Sequence, residues 1–569
     1  MTDRRPVLVR SFSRPPRGVG DRVATFLAER IGIRPVQSVA GARDGPLRAD
    51  GATSVVVAGG GLAGMSAAIR LASRGVRVRL IERESYLGGK VGAFPVRLAD
   101  GEQHVVEHGF HGFFLQYYNL YELLREARVP ASDFPLVDDY VIQAADGRSE
   151  GLRGYPRTPP WNVLAMARRS PFLNMREARR MKSFATMRDA FVLYDPDEVR
   201  ARWDATSFAE LSRRMGLEGT GFDAIFRVFG HSFFSESASV SAAEIVKNFH
   251  FFFFANPEGL LFRYCRTDFE QALWGPLRRH LESLGGVVEL GTEVVAVERN
   301  GAGRFAVRVL DAAGGDRGEG AERGERSLAA DEVVLALDVP GLKRVVAAST
   351  ALTAAHPELA RAADALAPPQ PYAVVRVWGD RDCLPGRASF TSLFGYEPLD
   401  SVTVYHRLQE ASRDWVAGHG GGVFELHAYT PPAEDARDPE HLEALLVAQL
   451  RRAFPELDGM RILQRHARVR WDFPGFPVGG AASQPRTSTA VPGLHLAGDF
   501  VRLDVPVALM EGAVASGVAA ANAILAGLGL APEPIWSVPP RGVLRRLLPG
   551  GRRGRAHHGA AARLPESTA

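Results

Sequence analysis

The sequence predicts an α/β fold in which a Rossmann-like domain is interleaved with a second, α+β domain. Three observations predict it. Residues 54–81 read as strand, glycine turn, helix and strand, the order of a βαβ unit. Short apolar runs that read as core strands return at 331–337 and again at 493–499. The stretches between them carry other patterns, helical and aromatic over 112–290 and strand-rich over 371–430. A chain that leaves one domain and returns to it twice places a second domain inside the first, and such an interface suits a bound cofactor.

Taken in order, residues 1–52 are rich in Arg, Pro and Gly and read as a basic, flexible leader with one short helix at 23–31. The nucleotide-binding domain is expected in three parts, 53–111, 286–345 and 481–528, and 112–285 is expected to be a mainly helical, substrate- and membrane-facing region. Residues 346–480 supply the strands and helices of the second domain, including a helix at 441–453. The Gly-, Glu- and Arg-rich stretch 311–329 reads as a hairpin tip or solvated loop, 506–525 as an Ala- and Gly-rich helix, and 529–569 as a basic, disordered tail.

Composition narrows the class of protein. A net charge of +4 spread over charges of both signs argues against nucleic acid as a partner. The two cysteines, Cys265 and Cys383, stand in no metal-ligand spacing, so no metal site and no disulfide framework are expected and a reducing cytoplasm fits. The Arg- and Pro-rich start lacks the continuous apolar run of a secretory signal, and no stretch reads as an uncharged membrane span.

The glycine turn is Gly59-Gly60-Gly61-Leu62-Ala63-Gly64. Gly59 allows the tight turn, Gly61 lets backbone approach a pyrophosphate, and Gly64 lets helix pack on strand. Leu62 and Ala63 open a helix whose free amides face the phosphates. Glu82 ends the second strand where an acid can hold ribose hydroxyls, and Arg83 follows that acid without replacing it. This motif alone leaves the cofactor open between NAD and FAD.

The next residues decide between them. "ERESYLGGKVGAF" runs from Glu82 into a second glycine turn, Gly88-Gly89-Lys90, and "LHLAGDFVRLDVPVALMEGAVASGVAAAN" lies near the C-terminus. Both resemble signatures of the flavin amine-oxidase and phytoene-desaturase superfamily. The resemblance implies FAD, with Gly89 and Lys90 folded over its pyrophosphate, Gly498 and Asp499 at its ribityl or pyrophosphate region, and Met510 and Glu511 opening a helix aimed at the flavin. Gly109, Phe110 and Val295 are expected to contact the cofactor as well.

Within that superfamily, "EHGFHGFFLQYYNLYELLRE", "FFFFANPEGLLF" and "FEQALWGPLRRHL" resemble carotene desaturases, above all the isorenieratene-synthase type, the β-carotene desaturase/methyltransferases. The likeness covers 53–528 and implies that an apolar polyene drawn from the bilayer is desaturated and its β-ring aromatised with a methyl shift. Acyclic carotene desaturation or isomerisation on the same scaffold is the alternative. A flavin amine oxidase or a non-catalytic flavin scaffold is more distant.

Phe113, Phe114, Phe251 and Phe253 are candidates for lining a greasy site. His108, His111 and Glu511 are candidates for proton transfer. The tail "RGVLRRLLPGGRRGR" mixes Arg with Leu in a composition suited to anionic headgroups, which predicts a peripheral protein on the inner face of the cell membrane. The terminal electron acceptor is left open between a quinone and oxygen.

Overall fold

The computed structural model describes residues 18–38, 45–99, 101–179, 181–219, 221–301, 303–311, 324–368, 370–542 and 545. Residues 1–17 and 39–44 of the leader, the tip at 312–323, and residues 543–544 and 546–569 of the tail lie outside these residues. Contrary to the expected flexible leader and disordered tail, the leader strand Val36–Ser38 pairs with Ile535–Ser537 of the tail.

A five-stranded parallel sheet carries the nucleotide-binding layer. Its order is Val287–Glu289, Arg77–Ile81, Ser54–Ala58, Glu332–Leu335 and Leu494–Leu496. Neighbours in this sheet come from the start, middle and end of the chain, so the intervening segments leave the sheet and return to it. Val55, Val57, Leu80 and Val334 are buried, as expected of parallel strands covered on both faces. The glycine-loop helix Leu62–Ser73 packs against the long helix Leu509–Gly527, and a Cβ at Gly517 would fall 2.2 Å from the Ala63 carbonyl oxygen. The long helix is apolar enough to cross a membrane by length and composition, yet it is a core helix here, with Val514, Ala515, Val518 and Leu525 buried.

The second domain is built on a seven-stranded sheet ordered Ile462–Arg470, Tyr372–Gly379, Gly422–Ala428, Ser401–Val404, Phe390–Phe394, Val141–Ala144 and Ser149–Gly151. Every residue of Tyr372–Gly379 and of Gly422–Ala428 is buried, so these central strands are covered on both faces. Val141–Ala144 and Ser149–Gly151 fall inside the stretch expected to be mainly helical. Ile142 and Ala144 alternate with less buried neighbours, a period-two signal too short to stand out in the sequence. The run 286–298 divides into the parallel strand Val287–Glu289 and the antiparallel strand Thr292–Arg299, which pairs with Phe305–Asp311.

Candidate functional site

One cavity of about 490 Å³ lies where the two sheets meet. Its first end is the glycine loop. Gly59 has φ +105°, and a Cβ there would fall 2.3 Å from the Ala336 carbonyl oxygen, so only glycine fits the turn. Gly64 does not reach the cavity. Its Cβ would fall 1.9 Å from the Gly59 carbonyl oxygen, which is the close helix-to-loop packing expected of the third motif glycine. The second glycine turn is tied to the first loop, the Gly88 amide donating to the Gly60 carbonyl at 3.1 Å.

Glu82 is buried at the cavity wall. Its Oε2 accepts from the Gly60 amide at 2.7 Å and its Oε1 from the Glu84 amide at 2.9 Å. Burial raises its pKa, and the two backbone amides oppose that shift. Gly59, Gly61, Leu62, Ala63, Glu82, Arg83, Gly89, Lys90, Gly109, Phe110, Val295, Gly498, Asp499 and Met510 all line this one cavity. The Lys90 ammonium pairs with the Asp499 carboxylate across it, joining residues 409 positions apart.

At the second end the wall is aromatic. Phe114, Phe229, Phe233, Phe252, Phe253 and Phe262 line it. Phe113 and Phe251 do not, contrary to expectation. Phe113 lies in the two-residue strand Phe113–Phe114, where neighbours point to opposite faces. It packs edge-on against Phe134 at 5.1 Å in the core. Phe251 sits on the π-helical turn His250–Phe254, where it stacks on Tyr117 and is fully buried, while Phe252 and Phe253 turn to the cavity.

Glu511 is likewise displaced from its expected place. Consecutive helical residues point about 100° apart, so Met510 faces the cavity and Glu511 faces the helix Tyr118–Glu126. Its Oε1 accepts from the Asn119 amide at 2.8 Å and the Asn119 side chain at 2.6 Å, and its Oε2 from the Leu120 amide at 3.2 Å. It caps a helix in the core. Burial pushes its pKa up to about 8 against those three hydrogen bonds.

Three histidines meet at the junction of the two ends: His108, His111 and His427 all line the cavity. His111 Nδ1 donates to the Gly109 carbonyl at 2.8 Å, which leaves Nε2 with the lone pair. Burial pushes its pKa down to about 4, so it is neutral near pH 7 and a weak base. His108 lies 3.1 Å from Asp472 Oδ2, and the Tyr372 hydroxyl packs against its ring nitrogens.

His427 was not apparent from the sequence. Its Nε2 lies 2.8 Å from Glu425 Oε1, and Glu425 in turn pairs with Arg376, its cross-strand neighbour. Burial resists ionisation of Glu425, but Arg376 and His427 outweigh it and bring its pKa down to about 2. The carboxylate therefore accepts and Nε2–H donates, so in the neutral ring the lone pair sits on Nδ1. Arg376 also holds Glu107 at 2.6 Å, and burial raises the pKa of that second carboxyl. The signal available in the sequence was Arg376, Glu425 and His427 standing in runs otherwise read as apolar core strand.

The match to known proteins agrees with this geometry. The model of flavin-containing amine oxidoreductases matches residues 62–525. The chain belongs to that family. This chain is an FAD-dependent oxidoreductase. It is 38% identical over 503 residues to a carotenoid phi-ring synthase of Streptomyces griseus, covering 87% of this chain and 93% of that relative. It is 30% identical to a carotenoid phi-ring synthase of Chlorobaculum tepidum, covering 86% and 91%. A zeta-carotene desaturase of Solanum lycopersicum matches at 26% over 51% of this chain and 49% of its own. Among solved structures, putrescine oxidase bound to putrescine aligns with a TM-score of 0.57 at 17% identity over 83% of this chain and 99% of its own, and cyclohexylamine oxidase of Brevibacterium oxydans with 0.56 at 15% over 84% and 99%. At that identity these two show the fold.

The residues present fit FAD. The glycine loop is open to the phosphates, Glu82 presents a buried carboxylate for ribose, and Gly89, Lys90, Gly498 and Asp499 close the same cleft.

Proposed function

We propose that this protein aromatises the β-ring of a carotenoid such as β-carotene, with migration of one ring methyl, at the inner face of the cell membrane. The observation that carries the reading is the single cavity that joins the dinucleotide loop to a phenylalanine-lined chamber. The two relatives named carotenoid phi-ring synthases, each matched over nearly its whole length, support it.

Per ring, aromatisation removes four hydrogens, as two hydrides and two protons. One methyl moves with its bonding pair from the gem-dimethyl carbon to the adjacent cationic carbon, and the proton lost next restores the aromatic sextet. FAD held by the glycine loop, Glu82 and Lys90 would supply the two-electron acceptor that each hydride requires, with a quinone or oxygen as the terminal oxidant. The chain's residues handle the cation and the protons. The faces of Phe114, Phe252 and Phe253 stabilise positive charge on the ring without offering a nucleophile to trap it. His427 Nδ1 takes the protons, and the ionised Glu425 behind it stabilises the imidazolium that forms. His111, held neutral, adds no competing positive charge.

Expression in a β-carotene-producing host tests this. Carotenoids with aromatic rings are expected. Unchanged β-carotene there, with conversion in a phytoene- or lycopene-producing host, would establish the acyclic desaturase reading that the half-length zeta-carotene desaturase matches favour.

A further inference from the structure

Two short helices carry their apolar faces outward. In Gly18–Arg30, Ala28 is fully buried and Thr25 is half-buried, its hydroxyl accepting from Arg157 at 3.1 Å. The opposite stripe, Val23, Phe26, Leu27 and, one turn on, Ile31, is exposed, with Phe26 at 52%. The spacing of three, four and eight from Val23 is that of one helix face. In Trp161–Arg169 the buried residues are Asn162 and Met166, while Trp161, Val163 and Leu164 are exposed, Leu164 at 56%. Scattered apolar residues on a surface are ordinary. Two helices that each expose several large apolar side chains beside arginines are not.

Arg157, in the turn that leads into Trp161–Arg169, donates to Thr25 of the first helix, and it lies 3.5 Å from the Cβ position of Gly259, next to Leu260 of the cavity wall. The exposed stripe therefore sits outside the aromatic end of the cavity. Exposed Arg22, Arg30, Arg168 and Arg169 belong to these two helices, against two acids in their sequences, Asp21 and Glu29. The Arg30 guanidinium rests 4.8 Å from the Phe26 ring centroid, keeping its charge beside the apolar stripe.

We propose that these two helices form the face that docks on a bilayer carrying anionic headgroups, and that the polyene enters the aromatic end of the cavity from there. The inference rests on the reading of a bilayer-held substrate, and it moves the expected membrane contact from the C-terminal tail to the helices Gly18–Arg30 and Trp161–Arg169. Apolar side chains enter the headgroup boundary, Trp161 takes the interfacial level, and the arginines meet phosphates. A second copy of the chain is a poorer occupant, because the same four cations would face their own counterparts.

The test is flotation of the full-length, FAD-loaded protein with vesicles of phosphatidylcholine, alone or mixed with phosphatidylglycerol, without substrate. F26S/L27S/L164S is expected to weaken binding to mixed vesicles by at least about tenfold. R168S/R169S is expected to weaken it on the order of tenfold, with the effect lost in high salt. A tail variant, R546S/R552S/R553S/R555S, is expected to bind as the parent does. Both face variants should keep bound FAD and convert carotenoid presented in detergent micelles. Undiminished vesicle binding by F26S/L27S/L164S, or binding abolished only by the tail variant, overturns the docking face. So does a dimer in sedimentation velocity that this triple variant dissociates with no change in vesicle binding. Failure of the β-carotene host experiment with vesicle binding intact would instead remove the ring-aromatising reading and leave the face.

Discussion

Glu425 Oε1 lies 2.8 Å from His427 Nε2, and the other oxygen of the same carboxylate holds Arg376. In the neutral imidazole this contact puts the proton on Nε2 and the lone pair on Nδ1 of a residue that lines the cavity. H427Q keeps a hydrogen-bond donor to Glu425 but removes that base. Turnover is expected to fall by about 10²-fold or more, with flavin content and KM little changed. Rapid-mixing measurement of flavin bleaching separates this from a folding defect, and a variant bleaching at the parental rate would remove His427 from proton transfer.

Glu82 accepts from the Gly60 amide and so ties the acid to the glycine loop it serves. E82A loses both the loop contact and the partner for ribose. FAD affinity is expected to drop roughly 10- to 100-fold, read as the ratio of flavin to protein absorbance after gel filtration. Full flavin retention would contradict the assignment.

Glu511 makes a prediction about stability. Its folded pKa is raised to about 8 from the ordinary 4.5, so the folded state binds the proton more tightly than the unfolded chain. Its contribution is fully present below pH 4.5 and is lost as pH rises through 8. Between those values stability is expected to fall by up to about 1.4 kcal/mol per pH unit from this group. E511Q, which carries no titrating proton, should flatten that slope in denaturant melts taken across the range. Turnover per bound FAD should stay at the parental level, because the side chain caps Tyr118–Glu126 and does not reach the cavity.

These residues also show what could be read from the chain alone. The glycine loop and Glu82 were legible because their roles are local: a strand, a turn and a helix within one βαβ unit. The interleaving was legible because its strands recur as apolar runs. His427 and Glu425 were not, since their meaning depends on Arg376 across a strand pair and on Glu107, 269 positions from Arg376. Glu511 was misread by one residue of helix rotation, and no periodicity resolves that where both faces are buried.

Phe113 and Phe114 carry the same limit and turn it into a measurement. They are adjacent, identical in type and opposite in direction, Phe114 to the cavity and Phe113 into the core against Phe134. F114L removes an aromatic face from the chamber, so turnover should fall about tenfold through loss of cation stabilisation, with little change in melting temperature. F113L removes no cavity contact. It should cost about 1–2 kcal/mol of stability from imperfect repacking while turnover per folded, FAD-loaded molecule is unchanged. Equal rate losses in the two variants would mean that the chamber works by size alone, and would withdraw the role given to its aromatic faces.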